Sequence, residues 1–196
     1  MKFIIKQLIN MRVLETQRFL LCPPEESDLK ELLEIQWDKN LMTFMNFKPL
    51  SMKNQYDWLN TLGGKNMAFC IFEKEANNKI LIGLATLNNI DTLHQRVSWG
   101  LKLKTNLQGK GVGQEVSLML LNFGFSTLNM QKIYGDILFD NIANRKMCQK
   151  LGVTEEGVLR NHYYQNGKFR DVVLVGILKE EFYQINNEKL KVLELI

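Results

Sequence analysis

The chain has 196 residues, 45% of them hydrophobic and 23% charged. That size and balance suit one folded domain with small extensions and exclude a wholly disordered chain. The net charge is +4 with no basic run, which permits an anionic ligand without pointing to nucleic acid. No apolar stretch reaches the roughly 18 residues of a membrane span.

Residues 1–11 read as an extension, with Met11 as an alternative start, because the patterned sequence begins after it. Their apolar run is broken by Lys6 and Gln7 and no small-residue cleavage site follows, so a signal peptide is not expected. Residues 12–184 read as one domain and 185–196 as a tail. Arg18–Cys22 is a short apolar strand closed by Pro23-Pro24. Leu29, Leu32, Leu33 and Trp37 keep a helical spacing behind Ser27-Asp28. A second helix runs from about Ser51 to the stop at Gly63-Gly64. Met67–Glu73 and Ile80–Leu87 read as strands around Asn77-Asn78, and Asn88–Leu93 as a loop. Gln95–Lys104 places Val97, Trp99, Leu101 and Leu103 on one face of a fourth strand.

Gln108-Gly-Lys-Gly-Val-Gly113 then opens a long helix to about Leu128, whose Val112, Val116, Met119, Leu120 and Phe123 keep the 3.6 period. Lys132–Phe139 is a fifth strand. A short helix, Asn141–Leu151, stops at Gly152. Val153–Tyr164 and Lys168–Leu178 form a hairpin around Asn166-Gly167, and the continuous apolar run Val172–Val175 makes the last strand central. This order predicts an α+β domain with a mostly antiparallel sheet and helices on both faces. The tail carries Leu190, Val192, Leu193, Leu195 and Ile196, a helix face to pack on the domain or on a second copy, as in a homodimer.

Cys22, Cys70 and Cys148 are odd in number and widely spaced, and there are only two histidines. This fits a reducing, cytoplasmic setting, with neither a disulfide framework nor a metal site expected.

The chemistry centres on the strand–glycine loop–helix junction. Glycines let the backbone approach a ligand closely, and a helix start offers unpaired amides and a positive dipole end to a phosphate. Lys110 adds a cation. A P-loop is excluded because Gly111 follows Lys110, and a dinucleotide fingerprint because Gln114 stands where its third glycine belongs. The glycine spacing alone leaves open a turn that merely starts a helix.

The ordered motifs carry more. Gln108–Gly113, then Asn141-Ile-Ala-Asn144, Lys150-Leu-Gly-Val153, Glu156-Gly-Val-Leu-Arg160 and Asn166-Gly167 with Phe169 and Asp171 resemble the GNAT N-acetyltransferases. Among them the run is similar to the branch that acetylates ribosomal-protein N-termini. The resemblance spans roughly Arg18 to Phe182. It implies a sheet of about seven strands, splayed between the fourth and fifth, that binds acetyl-CoA as acetyl donor with no metal. It further implies that Leu101 and Leu103, at a bulged end of the fourth strand, bond the pantetheine arm through their backbones. The amides of Gln108, Gly109, Lys110, Gly111, Val112 and Gly113 would take the pyrophosphate. Asn141, with Asn144 one turn on, would take the pantetheine chain.

By the same resemblance a primary amine attacks the thioester directly. The acceptor is a protein N-terminal amine, or alternatively an amino-sugar nucleotide or other small amine, with Leu41–Trp58 as its wall. Many family members place a tyrosine acid where this chain has Cys148, so Cys148 is an acid candidate or a small buried packing residue. A non-catalytic acyl-CoA-binding protein is the alternative that the missing tyrosine leaves. His94 has suitable chemistry for the base, or is a solvated loop histidine. Asp136 and Asp140 are further candidates. Glu115 is read as structural, in the first helical turn. Of Tyr163 and Tyr164, alternation turns one inward. Arg160 and Asp171 are expected to pair across the hairpin, and Trp37, Trp58 and Trp99 to pack the core or line the acceptor groove.

Overall fold

A computed structural model describes residues 14–43, 50–76, 78–107 and 109–195. The expectations for residues 1–11, for Gln108 and for part of the Leu41–Trp58 wall therefore lie outside the described residues, wholly or in that part.

Strands β1 (Leu14–Glu15) and β2 (Phe19–Cys22) lead into a 3-10 turn (Glu26–Asp28). Helices α1 (Leu29–Gln36), α2 (Lys39–Met42) and α3 (Met52–Asn60) follow. Then come β3 (Met67–Glu75), β4 (Asn78–Asp91) and β5 (Arg96–Leu103). Helix α4 (Val112–Ser126), β6 (Lys132–Leu138) and α5 (Ile142–Lys150) precede the hairpin β7 (Thr154–Gln165) and β8 (Lys168–Leu178). Helix α6 (Lys179–Val192) closes the fold.

The strands form one sheet in the order β1-β2-β3-β4-β5-β6-β8-β7. All neighbours are antiparallel except β5 and β6. The α+β architecture is as expected, and β8 sits inside the sheet as its apolar run implied. The eighth strand is the two-residue β1, too short to carry a period. The expected loop at Asn88–Leu93 is instead mostly strand. Asn89, at φ 54°, sits where the β4–β5 register shifts, so β4 continues through buried Ile90 to Asp91.

Each face of the sheet has its own core. Val97, Ile133, Val173 and Val175 pack with Phe19 and Leu87 against Val116, Leu120 and Phe125 of α4 and Phe182 and Leu190 of α6. On the other face Ala68, Cys70, Phe72 and Leu84 pack against Leu29, Leu32 and Ile35 of α1, with Trp58 and Leu59 of α3 at the margin. Burying one such side chain contributes about 1.5–3 kcal/mol. Trp58 and Trp99 pack these cores, whereas Trp37 ends α1 and is 49% exposed. The tail is continuous with α6 and packs on its own domain. Leu190 is fully buried, and Asn122 donates its side-chain amide to the Leu195 carbonyl at 3.0 Å.

Candidate active site

Strands β5 and β6 pair only over Arg96–Ser98 against Lys132–Tyr134 and then part. Trp99–Leu103 continue on one side, bound to β4, and Gly135–Leu138 on the other, bound to β8. The crotch is filled by Trp99, whose indole Nε1 stands 3.4 Å from where a Cβ on Gly135 would lie.

Ladder parity decides which backbone groups face this gap. In an antiparallel pair, only alternate residues exchange hydrogen bonds with their partner strand. Lys104 N–H donates to Ile82 C=O at 2.9 Å, so within this register the residues of β5 bonded to β4 are the even-numbered ones. The N–H and C=O of Trp99, Leu101 and Leu103 therefore point into the gap. Phe139 N–H donates to Asp171 C=O at 3.0 Å, so on β6 the odd-numbered residues face β8. The backbone groups of Asp136 and Leu138 face the gap from the other side. The register beside Leu101 and Leu103 is regular, and the β4–β5 irregularity lies at the opposite end, between Asn88 and Asp91. The expected bulge at these leucines is thus corrected: divergence from β6, not a bulge, exposes their backbones.

Because β5 and β6 are parallel, both end at the same edge of the sheet, and α4 and α5 both begin there. Gly109 and Gly111 hold φ of 80° and 76°, which L side chains rarely adopt, and a Cβ on either would meet nothing within 4 Å. Glu115 N–H bonds the Gly111 carbonyl at 3.1 Å, so the amides of Val112, Gly113 and Gln114 lie ahead of the first helical bond. Lys110 is exposed beside them. Space, free amides, a helix dipole and a cation together fit a pyrophosphate. Gly113 also lets the helices pack closely: a Cβ there would lie 2.9 Å from Met147 Sδ of α5.

Asn141 caps α5, its side-chain oxygen accepting the Asn144 N–H at 3.2 Å. The Cys148 thiol lies 3.8 Å from Asn144 Oδ1, as its donor. Cys148 is 2% exposed, and burial, with the Glu155 charge second, pushes its thiol up to about 12. A group that holds its proton so tightly is a poor donor to a departing thiolate whose own acid has a pKa of about 8.5. Of the two readings of Cys148, acid candidate or buried packing residue, this burial favours packing. His94 takes the second of its two readings, the solvated loop histidine. It sits exposed in the turn between β4 and β5, its N–H on Asp91 Oδ1 at 3.0 Å. That turn is at the closed end of the splay, and from Arg96 to Leu101 alone β5 spans roughly 17 Å at ~3.3 Å per residue.

The face of the gap away from α4 holds different groups. Ile133 and Ile137 enter the core beside α4, so Asp136 projects from the other face. Its carboxylate is exposed, and Tyr163 donates its phenol to Oδ2 at 2.6 Å. Burial first, then this bond, pushes the Tyr163 phenol up to about 12, so it stays a donor. Tyr163 is thus the inward tyrosine, while Tyr164 is exposed and meets Phe169 edge-to-face with ring centroids 5.1 Å apart. Asp140 pairs with Arg170. Gln165 donates to the Met42 carbonyl at 2.9 Å, which ties the hairpin tip to α2. Glu115 accepts from Thr16 at 2.7 Å and from Arg18 at 3.0 Å, the structural role expected of it. Asp171 takes the Asn161 N–H at 2.8 Å instead of pairing with Arg160. Lys102, which the motifs did not single out, is half-buried on the Asp136 face, and burial lowers its pKa. A lone charge between Leu101 and Leu103 was the signal for it. Among the described residues no three of His, Cys, Asp or Glu gather as a metal site, and no helix is long and apolar enough to cross a membrane.

A family model described as Acetyltransferase (GNAT) domain matches residues 18–154. A spermidine N(1)-acetyltransferase of Vibrio cholerae is 27% identical over 161 residues, 81% of this chain and 91% of that protein. The crystal structure of a V. cholerae spermidine N-acetyltransferase with CoA and spermine superposes with a TM-score of 0.78 at 24% identity, covering 84% of this chain and 97% of that one. Mycobacterium smegmatis RimJ with CoA-disulfide gives a TM-score of 0.77 at 20% identity, covering 89% and 88%. These two structures share the fold of this chain.

Proposed function

The chain belongs to the GNAT acetyltransferase family and is an acetyl-CoA-dependent N-acetyltransferase, and from that premise we propose that its acceptor is a small aliphatic amine of the polyamine kind. The observation that carries the site assignment is the pair of backbone edges, Trp99, Leu101 and Leu103 facing Asp136 and Leu138, which leads directly to the glycine loop. In this reading the pyrophosphate of acetyl-CoA takes the amides from Gly109 to Gly113, with Lys110 beside it and Gln108 completing the loop. Leu101 and Leu103 bond the pantetheine arm, and the Asn141 amide, its oxygen already capping α5, donates to it.

The side chains of Trp99, Leu101 and Leu103 enter the core beside α4. The amine therefore approaches from the opposite face, between α1, α2 and the β7–β8 hairpin. Backbone donors fixed along the gap stabilise the oxyanion that forms as nitrogen adds to the thioester carbonyl. Holding both reactants in one groove supplies orientation. Similarity to a spermidine acetyltransferase over most of the chain supports the polyamine class.

A protein N-terminal amine is the second reading. The exposed Tyr164–Phe169 pair at the hairpin tip offers an apolar platform for a peptide chain. Thiol release measured with spermidine, spermine, an amino-sugar nucleotide and peptides with free N-termini decides between them. The polyamine reading expects the largest kcat/KM with spermidine or spermine. A peptide preferred tenfold or more would replace it with the second reading.

A further inference from the structure

Five carboxylates at or near the site and its supporting elements already have cations: Glu115 with Arg18, Asp140 with Arg170, Glu155 with Arg145, Glu156 with Lys132 and Glu31 with Lys104. Among the described residues Asp136 has none; its hydrogen bond comes from a neutral phenol. That phenol takes Oδ2 and leaves Oδ1 open, on an exposed side chain. Asp136 also lies beyond Tyr134, the last β6 residue paired with β5, so its backbone faces the gap while its carboxylate stands on the amine side.

We propose that Asp136 is the group that binds the acceptor ammonium and takes its proton, with Tyr163 as the positioning residue that fixes the carboxylate. This rests on the reading that the amine enters on the Asp136 face, and it holds whichever amine is the natural acceptor. The ammonium gives one proton to Asp136, and the freed nitrogen pair attacks the thioester carbonyl carbon. The carbonyl–sulfur bond then breaks. The departing thiolate takes the second nitrogen proton, leaving an amide and free CoA thiol, and Asp136 returns its proton to solvent. Positioned acid–base groups contribute about 10²–10⁴-fold to rate.

The test compares Asp136→Asn and Tyr163→Phe with the wild type, using the amine most rapidly acetylated in the panel and, separately, a weakly basic amine already neutral at assay pH. Asp136→Asn should lower kcat for the basic amine by about 10²-fold or more. It should leave the KM for acetyl-CoA and the thermal midpoint within error. The loss should shrink at least tenfold for the neutral amine, which has no proton to surrender before attack. Tyr163→Phe should lower kcat by roughly 3–10-fold, the cost of one ordinary hydrogen bond, and Asp136→Glu should restore part of the rate. Equal losses with both amines, or unchanged kcat in Asp136→Asn, would overturn the proposal. A panel won by peptides would overturn only the acceptor class, since the comparison then runs with that peptide amine.

Discussion

Thr105, just beyond β5, donates its hydroxyl to Asp38 Oδ2 at 2.7 Å and so ties the strand edge that lines the gap to the start of α2. In the proposed reading this fastens the acceptor side to the donor side. The Thr105 bond, followed by the Asn40 amide, holds the Asp38 carboxyl below the usual carboxylate range. A depressed carboxyl stabilises the fold above its unfolded pKa of about 3.9, and that contribution is lost as pH falls through the folded value. Thr105→Val should therefore lower the urea midpoint at pH 7 and flatten the loss of stability below about pH 4. An acid slope identical to the wild type would contradict this.

Cys148 governs the opposite end of the pH scale. Its thiol is pushed up to about 12 in the folded chain, whereas an unfolded thiol releases its proton near 8.5. Between those values the unfolded state binds fewer protons, so stability falls as pH rises, by up to about 1.4 kcal/mol per pH unit. Cys148→Ala should show a smaller drop between pH 7 and 10 than the wild type, whatever its absolute stability. Alkylation of Cys148 in the native protein at pH 7.5 should be slow, because the residue is 2% exposed.

Glu115 joins the first turn of α4 to the chain before β2. Thr16 is 5% exposed, and Glu115→Ala would leave its hydroxyl without an acceptor. The expected loss is about 1–3 kcal/mol, read from the denaturation midpoint. Glu115→Gln, which keeps an acceptor oxygen for Thr16, should lose less.

The tail is part of the core. Asn186, fully buried, donates to the carbonyls of Leu151 at 2.8 Å and Phe182 at 3.1 Å, and Leu190 is fully buried one helical turn later. Removing residues 186–196 should cost more than about 3 kcal/mol, the scale of a large core truncation. Unchanged melting of the shortened chain would show that α6 does not seal the α4 face.

How much of this could be read from the residues follows from how local each signal is. The glycines from Gly109 to Gly113, the short helix from Asn141 and the Asn166-Gly167 turn are short-range features, and all stand where their spacing placed them. Asn166 and Gly167 both take positive φ, 52° and 79°, as that turn requires. The exposure of Leu101 and Leu103 backbones was expected on the right strand for the wrong cause, because strand divergence is set by which strands become neighbours. The two readings of His94 stayed open for the same reason: its chemistry suited a base, but only the topology reveals that its turn lies at the closed end of the splay. Tyr163 and Asp136 are 27 positions apart and meet across β8, a pairing no window along the chain contains. Cys148 occupied the acid's position in the motif, and burial decided its protonation.

The central claim is that acetyl-CoA lies in the β5–β6 gap with its pyrophosphate on the glycine loop. Thermal unfolding with and without acetyl-CoA, in the wild type and in Gly111→Asp, tests it most directly. The variant places a side chain and a negative charge at a φ of 76°, on the amides that would hold the pyrophosphate. The wild type should melt roughly 5–10 °C higher at about a hundred times the dissociation constant, where binding adds about 2.7 kcal/mol. Gly111→Asp should remain folded and show no rise. No rise in the wild type at millimolar acetyl-CoA, or an equal rise in both proteins, would contradict the assignment.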